Sequence, residues 1–261
     1  MQVHYSNVRY RGGPQPFLRA GAGAVVALLG LQIPFAMRVD VQFTAGTWTD
    51  IRRDVRAEAG LHLRYGIQGN GPTDVVASGG SLELSLKNHT GNSGGVQGWY
   101  SPSHASKRSG WTFGVPIRVV FVEDGVEYTK FRGKVRVIDP TPGRYQEQRV
   151  SVIAHDGIQD LAEADVHELA LQIDKTEAQI LTAILDAVAT DAQPVARDLD
   201  TGIDTYSYAF AEVGPGAKAL SLIQDDMVSA LGYAFTKGDG TFNYQSRNVR
   251  AIVASSTTFS N

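Results

Sequence analysis

The chain has no cysteine. That removes a disulfide framework, thiolate-ligated zinc and a thiol nucleophile together, and leaves the compartment open. It has no excess of positive charge either. Its 24 Lys and Arg stand against 27 Asp and Glu, a formal net charge of −3, which is not the electrostatic footprint of a protein that binds nucleic acid specifically. There is no phosphate loop, dinucleotide fingerprint or paired-carboxylate arrangement, and no internal repeat or low-complexity tract. One apolar, uncharged stretch, residues 20–37, reaches only the lower edge of a membrane-spanning length. Gly21, Gly23, Gly30, Gln32 and Pro34 interrupt it. Arg9, Arg11 and Arg19 before it give the outline of a secretory signal, but no small-residue cleavage site follows. Membrane contact is not expected.

What is present is a chain of 261 residues, 43% hydrophobic and 20% charged, with 28 glycines. That composition supports a buried core and many turns. Regular patterning starts at Met37. Val39, Val41 and Phe43 alternate with polar residues, as in a half-buried strand. Residues 47–51 carry Trp48, expected as a core anchor, and Leu61, Leu63 and Tyr65 alternate next. After a glycine-rich loop at 66–80, SLELSLKN places Leu82, Leu84 and Leu86 inward and Ser81, Glu83, Ser85 and Lys87 outward. Residues 89–110 form a long polar loop. A four-stranded meander over 110–156 is expected to close the unit. Its strands are 117–122, 126–132, 134–138 and 146–154. Its punctuation is Glu123-Asp124-Gly125, a bend at Gly133 and a Pro-rich turn at 139–143.

Beyond Asp156 the period changes to that of helices. A short helix is expected within 160–170 and a stronger one over 175–189, where Ile180, Leu181, Ile184, Leu185 and Val188 share a face and Asp174 with Glu177 resembles a capping box. A third spans 217–231, with Leu220, Ile223, Met227 and Leu231 inward and Asp225-Asp226 on the solvated face. Gly232 is expected to end it with a positive φ. Residues 233–245 read as a hairpin. The fold class is therefore mainly β with α+β. Residues 1–37 are an N-terminal arm or extraneous segment, and 38–160 a small β-barrel- or sandwich-like domain. Residues 161–261 are an α+β domain expected to be incomplete at its C-terminus.

Chemistry-bearing motifs are few. Gly91-Asn92-Ser93-Gly94-Gly95 matches the nucleophile loop of serine hydrolases, but it lies in a polar loop rather than between a strand and a helix, and no histidine has a suitable context. His167-Glu168 begins a zinc-protease motif whose second histidine is replaced by Leu171. Asp156, Asp160, Glu163 and Asp165 lack the alternating donors of a calcium loop and suit a helix start. No catalytic, cofactor-binding or metal-binding residue is assigned. Trp99, Tyr100 and Trp111 are different. As exposed aromatics in a polar loop they form an interaction surface for sugar or a neighbouring subunit, although aromatics that anchor a loop to its own core are commoner, and a carbohydrate-binding adhesion module is the alternative function.

The order of GTWTDI, SLELSLKN running into NHTGNSGG, GWYSP, FGVPIRVVF, FRGKV, IDPTPGRY, VSVIAHDGIQDL and YAFTKGDGTFNYQSR resembles minor tail proteins of long-tailed bacteriophages, specifically hub proteins of the tail tip or baseplate. The resemblance covers roughly residues 38–250 and rests on the order of several weak motifs. It implies a structural, non-enzymatic protein of the virion tail tip, assembled in the host cytoplasm. It also implies a homo-oligomeric ring, a trimer, below the tail tube. The implied partners are other tail proteins such as distal tail, tube and tape-measure proteins. It carries no catalytic residue and no cofactor.

Overall fold

The computed structural model describes residues 36–68, 71, 73–144, 147–166, 168–210, 213 and 216–249. The expected arm at 1–37 falls almost wholly outside them, as does His167 of the zinc-like motif.

The first half builds one antiparallel sheet. Its strands are β1 (Ala36–Thr44), β2 (Thr47–Asp50), β3 (Leu61–Arg64), β4 (Ser81–Lys87), β5 (Pro116–Glu123), β6 (Val126–Thr141) and β7 (Arg149–His155), in spatial order β2-β1-β5-β6-β7-β4-β3. Register follows the hydrophobic alternation. Val39 lies opposite Val119, and Leu84 opposite Val152. A one-residue slip would turn every one of these side chains to the other face. The sheet is open, with four-residue strands at both edges, so the barrel-like expectation is corrected. The core face is covered not by a second set of strands but by the loop 88–115, which contributes Tyr100, Trp111 and Val115 to the core of Val39, Leu82, Leu86, Ile117, Phe131 and Val150.

The meander has three strands, not four. β6 runs unbroken for 16 residues, pairing with β5 up to Lys134 and with β7 from Lys134 onward, and irregularities in register on both sides absorb its twist. Gly133 is not a break. A Cβ there would lie 2.1 Å from the His155 carbonyl oxygen, so glycine permits the close approach of β7. Pro140, expected in a turn, is in β6 opposite Val150. Past Val135, which still bonds the backbone of Gly114 and Val115, the strand is paired with β7 alone, the edge-like setting in which a missing donor is tolerated. The Asp124-Gly125 turn is as expected, with φ of 50° and 81°. Trp48 is not a core anchor. It lies half-buried on the outer face, beneath the guanidiniums of Arg118 and Arg132. Ser85, expected outward, is buried at 6% exposure.

The second half packs α1 (Gly157–Glu163), α2 (Glu177–Ala187) and α3 (Ala219–Ala230) against short strands. These are β8 (Asp165–Val166), β9 (Gln172–Thr176), β10 (Ala196–Leu199), β11 (Thr205–Ala209), β12 (Ala217–Lys218), β13 (Tyr233–Thr236) and β14 (Thr241–Gln245). Asp156 caps α1, its carboxylate accepting from the Ile158 and Gln159 N–H groups. The cap of α2 is Thr176, not Asp174, and Gln179 reaches back to the Thr176 N–H at 3.1 Å. Asp174 is held in β9 at φ 50°. Ile180, Leu181, Ile184 and Leu185 are buried as their spacing predicts, each contributing about 1.5–3 kcal/mol of burial. At the end of α3 it is Leu231, not Gly232, that takes the left-handed conformation, φ 53°. Gly232 serves packing instead, since a Cβ there would meet the Tyr244 ring at 2.6 Å. The β13–β14 hairpin forms as expected.

Two backbone hydrogen bonds tie the first half to β13. Residues 75–77, in the expected glycine-rich loop, lie beside β13. The Ala234 N–H donates to the Val75 carbonyl at 3.0 Å, and the Ala77 N–H to that of Ala234 at 2.8 Å. Val75 and Ala77 belong to the second core with Ile158, Leu185, Ile223, Met227, Phe242 and Tyr244.

Candidate functional site

The long polar loop is organised by one buried carboxylate. Asp54 follows β2 and is 1% exposed. It accepts from the Ser93 N–H at 2.7 Å, from Ser93 Oγ at 2.5 Å and from the Tyr100 hydroxyl. Asn88 ties the other side of the loop, accepting from the Tyr100 N–H at 3.0 Å and donating to Ser101 Oγ at 2.7 Å. Arg108 donates to the Tyr100 hydroxyl at 3.2 Å, and its guanidinium lies 3.7 Å above the Phe43 ring. Burial first, and then the bond to Asp54, hold the Tyr100 phenol above its ordinary range. The three bonds to the Asp54 carboxylate are charge-assisted, the strong kind.

This geometry changes the roles of the expected residues. Tyr100 and Trp111 are buried, at 0% and 1% exposure, and meet edge-to-face with centroids 5.3 Å apart. The Trp111 indole donates to the Tyr100 carbonyl at 2.7 Å. They anchor the loop to its own core, and the expectation that both are exposed is corrected. Trp99 is half-buried over Gly94, where a Cβ would meet its ring at 2.4 Å. The large side chain this loop does turn outward is Phe113, 57% exposed. Ser93, in its serine-hydrolase-like setting, donates its hydroxyl to Asp54 rather than to a histidine. A residue that organises a loop from 39 positions away gives no signal in local spacing, which is why Asp54 went unread.

A second cluster lies on the outer face of the sheet. Asp40, 1% exposed, is held by Arg38 Nε and Arg118 Nη2, both at 2.8 Å. The bond to Asp40 raises the Arg38 pKa. Trp48 lies under the Arg118 guanidinium at 4.7 Å, and these residues with Asp50, Arg52 and Val122 line a shallow depression of about 480 Å³. A third cluster joins the halves. Asp160 of α1, 5% exposed, accepts from Lys134 of β6 at 2.7 Å and from Arg136, and Lys134 also reaches the Asp191 carbonyl. Together with Glu163, Asp165 and residues 189–193 they line a cleft of about 600 Å³. Asp160 and Asp156, expected only to favour a helix start, therefore bridge and cap. Among the described residues no three His, Asp or Glu side chains are grouped to hold a metal, and no helix is long and apolar enough to cross a membrane.

No family model matches the chain, and no curated protein matches it. Solved structures do. A 43 kDa tail protein of prophage MuSo2 from Shewanella oneidensis aligns over 81% of this chain and 53% of its own, at 12% identity and a TM-score of 0.52. A tail protein from Neisseria meningitidis MC58 aligns over 80% and 50%, at 12% identity and 0.49. A prophage tail protein from Listeria monocytogenes EGD-e aligns over 82% and 52%, at 9% and 0.46. The chain thus spans about half the length of these proteins. The resemblance to phage tail proteins holds at the level of the fold: over four fifths of its length, this chain folds as the Shewanella prophage tail protein does.

Proposed function

We propose that the chain is a structural component of a bacteriophage tail tip or baseplate hub, forming a ring below the tail tube and joining it to host-recognition parts. The observation that carries this is the shared fold with a prophage tail protein over 81% of the chain. The internal chemistry supports it. The charged and aromatic clusters around Asp54, Asp40 and Asp160 are spent on holding loops and halves together, which suits an assembly part rather than an enzyme. The proposed units are a hub domain at 38–160 and an α+β domain at 161–261.

A ring needs a head-to-tail contact. The sheet ends in two short edge strands, β2 and β3, and an edge strand is a template for pairing with another chain. The loop 88–115 adds an apolar point at Phe113. These are the proposed contacts, with a trimer as the closed form, and with distal tail, tube and tape-measure proteins as neighbours in the virion. The carbohydrate-binding alternative loses its platform, because the Tyr100 and Trp111 rings face the core.

Electron microscopy of the purified particle, with the protein tagged, tests the proposal. Cyclic copies of the chain at the tail tip are expected. A protein absent from the particle, or present there as isolated copies away from the tail axis, would overturn it.

A further inference from the structure

Asp225-Asp226 reads as a solvated pair, but only Asp225 is exposed. Asp226 points into the second core at 5% exposure, and its Oδ2 is buried without a hydrogen-bond partner. Glu177, at the start of α2, is 1% exposed. Its Oε1 accepts from the Asp204 N–H at 3.1 Å, while Oε2 is buried without a partner. The Tyr206 hydroxyl of β11 is buried and unpartnered too.

Among the described residues the one cation acting on this cluster, Arg247, is already taken up by another carboxylate. The groups that act on this cluster are Glu177 from α2, Asp226 from α3, Tyr206 from β11, Tyr244 from β14, and Asp200, Asp204 and Arg247 at its margin. All the carboxylates repel one another. Arg247 is engaged bidentately by Asp204, at 2.6 and 3.0 Å. An ionised carboxylate accepts hydrogen bonds but donates none. Two of them in one dry core therefore cannot satisfy each other, and an unpaired buried charge is among the costliest features a fold can carry.

We propose that Asp226 is a proton-binding site: the native second core holds it as a neutral acid, and removing that proton loosens α3 from α2 and β14. The proton removes one of the two buried charges that repel each other. Burial and then the charge of Glu177 push the Asp226 carboxyl up to about 8, and burial with Glu177 pushes the Tyr206 phenol up to about 12. An unfolded Asp titrates near ~3.9. The native state therefore holds an extra proton between those values, and its folding constant falls roughly tenfold per pH unit across that window, levelling off above about pH 8. The inference does not depend on the tail assignment.

The test is urea unfolding of the full chain and of Asp226→Asn, followed by far-ultraviolet circular dichroism from about pH 5 to 9. Asn keeps the shape and cannot ionise. The wild-type midpoint is expected to fall as the pH rises, with the variant midpoint nearly level and above wild type at pH 9. Glu177→Gln, which removes the repelling charge, is expected to flatten the profile as well, and it serves if Asp226→Asn does not fold. The infrared carbonyl band of a protonated buried carboxyl should be present in wild type at about pH 6 and missing in Asp226→Asn. A wild-type profile as level as those of the variants, or a band that persists in Asp226→Asn, would overturn the proposal.

Discussion

Asp54 and Asp226 are buried to a similar degree, at 1% and 5% exposure, yet their surroundings differ completely. Asp54 has a partner for each oxygen and draws the loop 88–115 onto the first core. Asp40 in the same half, and Asp160 where the two halves meet, are each met by two cations. Asp226 and Glu177 are the carboxylates with an oxygen left buried and unpartnered among the described residues, and both belong to the second half. The comparison separates two ways of burying a charge. Where donors meet it, it organises structure. Where none does, stability is tied to the proton.

The sharpest way to break this contrast is at Asp54. Asp54→Ala leaves the Ser93 N–H, Ser93 hydroxyl and Tyr100 hydroxyl without their acceptor, and about 3 kcal/mol or more of stability should be lost. The loss is read by urea unfolding with tryptophan fluorescence. A cost below about 1 kcal/mol would show that water replaces the carboxylate and that the loop is held elsewhere.

Next in size is the pH response of the second half. The Asp226 pKa is raised in the folded state. Its contribution is therefore complete below about pH 4, declines by about 1.4 kcal/mol per unit as the pH rises, and is gone above about pH 8. Stability at about pH 6 should exceed that at pH 8 by roughly 2 kcal/mol, and Asp226→Asn should lack this difference.

Gly232 sharpens the packing side of the comparison. Gly232→Ala drives a methyl group against the Tyr244 ring, 2.6 Å from the ideal Cβ position, and is expected to cost about 1–2 kcal/mol. Leu231→Gly relieves the left-handed residue and should leave stability unchanged or raise it by a few tenths of a kcal/mol. The smallest effect is expected at Trp48. Removing its ring from beneath Arg118 in Trp48→Ala should cost about 1 kcal/mol or less in denaturant unfolding, because the ring lies outside the core.

Much of the fold is legible in the residues. Leu82, Leu84 and Leu86 report their face by alternation alone, Asp124-Gly125 reports its turn by the φ it needs, and Ile180, Leu181, Ile184 and Leu185 report α2 by spacing. These are local signals. What escaped is non-local. Trp48 looks like a core residue until two arginines from β5 and β6 cover it. Pro140 looks like a turn until the C-terminal end of β6 proves to be paired on one side only. Residues 75–77 look like loop because their partner, β13, lies more than 150 positions away. Of the candidate site, the loop and its aromatic residues are legible in the sequence, but the direction of the rings depends on Asp54, which no local pattern connects to them. Asp226 looks solvated because the buried face of α3, Ala219, Leu222, Ile223, Asp226, Met227 and Ala230, is rotated from the Leu220, Ile223, Met227 and Leu231 stripe, whose Leu231 is 58% exposed.

The two halves carry separate reporters. All three tryptophans, Trp48, Trp99 and Trp111, lie in the first half, and α1, α2 and α3 all lie in the second. Unfolding of the full chain by urea, followed at once by tryptophan fluorescence and by helical circular dichroism at about pH 6 and about pH 9, therefore reads each core in one experiment. The helical midpoint should drop on going to the higher pH while the tryptophan midpoint stays near its value. Equal shifts of both midpoints, or a helical midpoint indifferent to pH, would contradict the distinction between a first core closed by its donors and a second core closed by a proton.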